Sequence, residues 1–288
     1  MKFVLCESMC DISHYIPLAQ AADTAGFDSY VGGDSILYPE KSSTKYPYTE
    51  SGDRSFIEDA PFLDPFQLFA AMAMKTKRLQ FMLGVLKTTI RHPVLIAKMV
   101  SSLACLSGER FIFGVGLDPW PEDFQACGQD WKSRGARMDE ILQIVPGLMT
   151  GEYFEWHSSY YDFPRIKMCP VPSKCPTIIY GGHSEAALRR AARLTDGFLF
   201  IDTTEAQLVE RIALLKNFRR ECGREHEPMR IIAAMPVSEI GEMRRLEEEI
   251  GVTDLMVAYR NIYEPDQMTL QQKLDWVARF GDEIIAHY

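Results

Sequence analysis

No apolar run in this 288-residue chain approaches the roughly 20 residues needed to cross a bilayer as a helix. The opening segment MKFVLCESMCDISHY also lacks the long apolar stretch and small-residue cleavage site of a secretory signal, so a cytoplasmic protein without membrane contact is expected. Cationic charge is in deficit: 31 Lys and Arg stand against 40 Asp and Glu, for a formal net charge of -9. Binding to nucleic acid or an anionic membrane needs clustered Lys and Arg to neutralise phosphate. Neither partner is expected, and small-molecule chemistry becomes the default.

Ordered cysteine spacing is missing as well. Cys6, Cys10, Cys105, Cys127, Cys169, Cys175 and Cys222 are odd in number and scattered, which argues for reduced, bystander thiols over a disulfide framework or a zinc site. No HxH pair occurs among the six histidines, and His183 alone falls directly after an apolar strand, so no metal is expected. Solenoid-length repeats and low-complexity tracts are absent too.

What is present is a series of short apolar runs alternating with amphipathic segments. The runs are KFVLCE, DSYVGG, LQFMLGV, RFIFGVG, TIIYGG, GFLFI, MRIIAAMP and DLMVAY. Between and after them, helical spacing predicts helices near 14–25, 64–75, 93–106, 132–149, 185–194, 205–221 and 239–250, then a final one. Pro146 is expected to kink or end the regular part of its helix. Eight strand-helix units in one chain, with no linker, fit a single α/β domain over 1–288: a closed TIM-type (β/α)8 barrel rather than an open sheet. Two connections, 35–62 and 151–175, are too long for ordinary loops, and each is a candidate lid or wall. In such a barrel the loops after the strands build the active site. The informative residues therefore lie just beyond Asp34, Val85, Gly116 and Gly182.

Tyr180-Gly181-Gly182-His183-Ser184 ends a strand and starts a helix. Paired glycines let a ligand approach the backbone, and the helix N-terminus offers free N–H groups to an anion; a plain glycine turn with Ser184 as N-cap is the alternative. Arg91-His92-Pro93 reads as a helix-start device. Trp120, Tyr46, Tyr48 and Trp156 are candidate walls for a flat ring, with core packing the safer reading for Trp156.

Collinear segments over most of the chain resemble the luciferase-like superfamily of flavin and F420 enzymes. They include GVLKTTIRHPVLIAK from Gly84, LACLSGERFIFGVG ending at Gly116, WPEDFQACG, RGARMDEIL and IIYGGHSEAALRRAARLTDGF. GGDS at Gly32–Ser35 and DPFQLFAAMAMKTKRLQ look most like the F420-dependent branch. The resemblance implies a bacterial-luciferase-like barrel, an oxidoreductase, a homodimer, and coenzyme F420 as cofactor, with FMN as the alternative. Carried over onto this sequence, it makes Gly116, Tyr180, Gly181, Gly182, His183 and Ser184 cofactor-binding. It also puts a non-proline cis peptide at Gly84-Val85 behind the deazaflavin, and makes Arg134 the phosphate-pairing arginine of FMN-binding relatives. Leu117 stands where many of those relatives carry a second arginine.

Asp34 and Ser35 occupy the place where many F420 relatives show Asp-His. Asp34 is expected to orient ring or substrate, whereas Ser35 cannot replace a histidine as proton donor at neutral pH. Asp118 is the first candidate for the missing acid, ahead of Glu122 and His14, with a turn role before Pro119 as its alternative. The leading expectation is hydride transfer between F420 and a small organic substrate. An FMN-dependent monooxygenase and a non-catalytic flavin-binding protein are the competing readings.

Overall fold

Alternate residues in each apolar run point to opposite sides of the sheet, one set into the barrel lumen and the other towards the helices. In strand β1 (Lys2–Cys6), Val4 and Cys6 join an inner cluster while Phe3 and Leu5 join the outer one. The same alternation turns inward Val31 of β2 (Ser29–Gly32), Met82 of β3 (Gln80–Leu83), Ile112 of β4 (Phe111–Gly116) and Ile179 of β5 (Ile178–Gly181). Leu199 of β6 (Gly197–Phe200) and Ile232 of β7 (Arg230–Ala234) complete the inner cluster, with Met256 of β8 (Asp254–Val257) packed against it. Outward residues such as Tyr30, Phe81, Phe113, Tyr180 and Phe198 meet the helices. Full burial of each large apolar side chain is worth about 1.5–3 kcal/mol, so this two-sided burial drives the architecture.

The computed structural model describes residues 1–46, 49 and 51–288. All eight strands are parallel, each paired with its chain neighbour, and β1 pairs with β8 from Lys2↔Asp254 to Leu5↔Val257, closing the ring. The expected α/β barrel is what forms. Helices α1 (Tyr15–Ala25), α2 (Pro65–Ala73) and α3 (Pro93–Leu106) follow the first three strands. A short helix α4 (Pro121–Ala126), not anticipated, precedes α5 (Arg134–Met149), and α6 (Glu185–Leu194), α7 (Glu205–Glu221), α8 (Ile240–Arg245) and α9 (Leu270–Glu283) complete the outer layer. Among the described residues no helix is long and apolar enough to cross a membrane.

Of the two outcomes expected at Pro146, the helix does not end there: α5 runs on to Met149, with the buried neighbours Ile144, Val145, Leu148 and Met149 holding the last turn against the core where the proline removes one hydrogen bond. The 151–175 connection is an antiparallel hairpin, Phe154–His157 with Asp162–Ile166, and contributes none of the residues that line the central cavity. Its Trp156 stacks on Phe154, donates to Glu140 (2.9 Å) and is not part of the central cavity's lining, in line with the packing role expected for it.

Candidate functional site

A cavity of about 440 Å³ opens at the C-terminal ends of the strands. The lumen residues Cys6, Val31, Leu199 and Met256 are part of its lining, Leu117 and Ile201 lie beyond their strand ends, and the 35–62 connection adds Ser35, Tyr46, Ile57 and Phe62. That connection is therefore the wall its length suggested. Tyr48 lies outside the described residues. Eleven of the twelve site residues read from the sequence line this cavity: Asp34, Ser35, Gly84, Val85, Gly116, Asp118, Tyr180, Gly181, Gly182, His183 and Ser184.

The twelfth, Arg134, does not line the cavity. Its guanidinium lies 3.7 Å over the Trp131 ring and donates to the Trp131 carbonyl (2.9 Å). The backbone at the start of α5 makes this short-range contact available. Arg211 of α7, which the sequence did not single out, instead donates to the carbonyls of His183 (2.6 Å) and Gly182 (3.1 Å). The turn after β5 thus hangs on α7. Ser184 caps α6 by accepting from the Ala187 N–H (3.2 Å), while also lining the cavity. His183 borders a second, more polar hollow of about 370 Å³ with Glu185, Asp202, Thr203, Gln207, Glu210 and Arg211. Burial, then the Arg211 cation, lowers the His183 pKa from the ordinary imidazole value, so the ring is neutral at neutral pH.

The Gly84-Val85 peptide is cis. Val85 projects across the ends of β4 and β5, where a Cβ on Gly181 would lie 2.7 Å from its Cγ1 and one on Gly116 would collide with its Cγ2. Both glycines make room for Val85. Close approach is indeed their purpose, but on the side facing Val85 the approaching group is this side chain.

Asp34 is buried and held on three sides. Arg91 clamps it through Nη1 to Oδ2 (2.6 Å) and Nη2 to Oδ1 (2.9 Å), and the Lys87 N–H donates to Oδ2 (2.9 Å). His92 and Pro93 do begin α3, with His92 Nδ1 accepting from Val94 N–H (3.3 Å), but Arg91 belongs to the site. Ser35 is half-buried at the wall, its hydroxyl 3.5 Å from the Leu37 carbonyl.

Asp118, Lys87 and Asp123 form a buried trio beneath Trp120. Lys87 Nζ is ion-paired to Asp123, stands 3.7 Å from Asp118 Oδ2 and lies 4.1 Å over the Trp120 ring. Burial, followed by a hydrogen bond shared with Asp123, pushes the Asp118 carboxyl up to about 8 against the pull of Lys87. One carboxyl of the pair keeps its proton at neutral pH because two carboxylates here would repel. The other two candidate acids are occupied elsewhere: Glu122 accepts from the Ser43 N–H (2.7 Å) and hydroxyl (3.0 Å), and His14 Nδ1 lies 3.3 Å from Lys273 Nζ, away from the cavity.

Sequence reading missed Lys87, Asp123, Arg91 and Arg211. Lys87 is two residues beyond the cis Gly84-Val85 peptide, in the GVLK run, which was the one available signal; the pairing of the others depends on contacts between distant parts of the chain. The loop after β8 is locked to that after β1 by Arg260, which donates to Glu7 (2.6 Å) and to the Ser8 carbonyl (2.6 Å), fixing Ser8 and Met9 in the wall. Cys6 also reaches the cavity, but burial pushes its thiol up to about 12, so it offers no thiolate at neutral pH. No cluster of metal-ligating side chains occurs among the described residues.

The chain is 44% identical to an uncharacterised protein of Mycobacterium tuberculosis over 99% of both chains. It is 25% identical to an F420-dependent glucose-6-phosphate dehydrogenase of Gordonia bronchialis, over 92% of this chain and 69% of that one. A monooxygenase structure from Streptomyces bottropensis shares the fold with a TM-score of 0.79 at 17% identity, each chain covered in full. An F420-dependent secondary alcohol dehydrogenase, bound to an F420-acetone adduct, gives a TM-score of 0.75 at 12% identity over 100% of this chain and 99% of that one. Residues 7–271 match the family model of luciferase-like monooxygenases, and with the closed barrel and its strand-end cavity this places the chain in the luciferase-like monooxygenase family.

Proposed function

We propose that this chain is an F420-dependent oxidoreductase acting on a small organic substrate. The observation that carries the reading is the two-part form of the mouth. An apolar slot backed by Val85 and a polar hollow share His183 of the Gly182-His183 turn, and in the hollow the buried Arg211 Nε and Thr203 Oγ1 have no partner among the described residues. A flat ring would fill the slot, and a phosphorylated tail reaching the turn would satisfy those two groups. Arg134, turned onto Trp131, favours the deazaflavin over FMN, since it leaves the FMN phosphate without the arginine that the family resemblance would supply.

When bound, the deazaflavin supplies or accepts a hydride at C5. Gly84, Val85 and Gly116 would form the back of the ring slot, with Tyr180, Gly181 and Gly182 beside it, and His183 and Ser184 at the tail. Asp34, fixed by Arg91, offers a carboxylate oxygen to orient ring or substrate, and Ser35 contributes a hydroxyl to the same wall. As a substrate carbonyl carbon gains hydride, its oxygen takes the proton held by Asp118. The carboxylate left behind is stabilised by Lys87 Nζ, 3.7 Å away. The same groups run the reverse step on an alcohol.

Fluorescence titration of the full chain with F420 and, separately, with FMN tests the cofactor. Saturable binding of F420 with no response to FMN is expected. Tight FMN binding with no F420 response would overturn the reading in favour of a monooxygenase. Cofactor binding without turnover on ketones or alcohols would favour a non-catalytic binding protein.

A further inference from the structure

Eleven buried side-chain atoms among the described residues have no hydrogen-bond partner, and five of them meet around one indole. They are Arg54 Nη1 and Nη2, Trp120 Nε1, Asp118 Oδ2 and Asp123 Oδ1. The two carboxyl oxygens are accounted for by the proton that their pair shares. Three donors remain orphaned. Arg54 is 5% exposed, its guanidinium carbon stands 4.4 Å over the Trp120 ring, and Lys87 Nζ lies 4.1 Å from the same ring. The Glu122 carboxylate, which Arg54 helps to hold ionised, directs its oxygens to Ser43 instead.

A guanidinium cut off from water without an anion is strongly unfavourable, and each buried unsatisfied donor costs about 1–3 kcal/mol. Such a cluster is stable when something else supplies oxygens. Lys87 pairs with Asp123, and the Glu122 carboxylate offsets the Arg54 charge only at a distance, so the two Nη donors are left for an oxygen ligand. The forked guanidinium presents two parallel N–H donors, which match the two oxygens of a carboxylate, with the indole N–H left for one of them. Arg54 belongs to the 35–62 connection that already walls the cavity, and the Trp120 ring on which it stacks lines the cavity itself.

The geometry points to Arg54 and Trp120 Nε1 as a recognition site for a carboxylate carried by the organic substrate. This rests on the cavity being the reacting site of the enzyme proposed above. Its chemistry involves no bond change at Arg54.

Calorimetric titration of the full chain with benzoate, neutral benzamide and inorganic phosphate tests it, on wild type, Arg54→Gln and Arg54→Lys. Benzoate is expected to bind at least about tenfold more tightly than benzamide, or about 1.4 kcal/mol. Arg54→Gln should erase that preference and Arg54→Lys retain part of it. The Trp120 indole N–H resonance, assigned with Trp120→Phe, should shift with benzoate and stay put with benzamide. Equal binding of benzoate and benzamide to wild type overturns the proposal without any variant. So does a preference that survives Arg54→Gln, or phosphate filling the site ahead of benzoate. An F420 titration alongside separates the two ideas: loss of F420 response with an Arg54-dependent benzoate preference defeats the cofactor reading and leaves the carboxylate site.

Discussion

Arg91 grips Asp34 with both guanidinium nitrogens, at 2.6 and 2.9 Å, and so ties the turn before α3 to the segment leaving β2. The carboxylate is nearly inaccessible and the arginine half-buried, which makes the pair a positioning device for the cavity mouth. Removing one partner leaves a buried charge uncompensated.

Arg91→Ala is accordingly expected to lower stability by about 3–5 kcal/mol, and Arg91→Lys by less, since a lysine cannot make the fork. Chemical denaturation of both variants checks this. Equal stability of wild type and Arg91→Ala would show that the clamp contributes nothing.

Asp118 gives a pH prediction with a defined sign. Its folded pKa is raised, so between its ordinary value and about 8 the folded state keeps a proton that the unfolded state has lost. Its contribution is complete below the ordinary carboxylate range and is lost as pH rises towards 8. Asp118→Asn should flatten that part of the stability-versus-pH curve. The rate of carbonyl reduction should fall above about pH 8 in wild type and lose that limb in the variant. An unchanged pH-rate profile would remove Asp118 from proton transfer.

Val85 and the glycines facing it should behave as one unit. Gly181→Ala forces a methyl against Val85 and is expected to cost about 1–3 kcal/mol. Val85→Ala in the same chain should recover part of that loss, a coupling that a double-mutant cycle reads directly. Strict additivity would mean that the close approach is relieved elsewhere.

Arg211→Ala frees the Gly182-His183 carbonyls and removes the orphaned Nε donor. Affinity for F420 should fall roughly ten- to a hundredfold, the worth of a charge-assisted hydrogen bond of about 1.5–3 kcal/mol. Arg134→Ala, by contrast, should leave it within about twofold. A titration series on the two variants decides between them, and the opposite order would restore Arg134 as the phosphate residue.

The barrel was legible because a local pattern dictates it. Phe3, Val4, Leu5 and Cys6 alternate between the two clusters as a period of two requires, and the start of helix α6 at Glu185 follows from the Gly-Gly turn and the Ser184 cap. Most of the cavity wall was legible for the same reason, since strand ends mark it. The 151–175 hairpin was misread as a possible wall because length alone says nothing of where a loop packs. The side-chain pairs were not legible: Asp34 and Arg91 are 57 residues apart, and Arg211 meets His183 across 28. The contact of Arg134 with its neighbour Trp131 was likewise not legible, since it is a matter of side-chain geometry that spacing does not reveal.

A crystal structure of the full chain soaked with F420 tests the central claim most directly. The account predicts deazaflavin density in the strand-end cavity, its ring against Val85 and its phosphate reaching Arg211 and the Gly182-His183 turn. A ring bound elsewhere, or a cavity that stays closed to F420 while admitting FMN with its phosphate on Arg134, would contradict it.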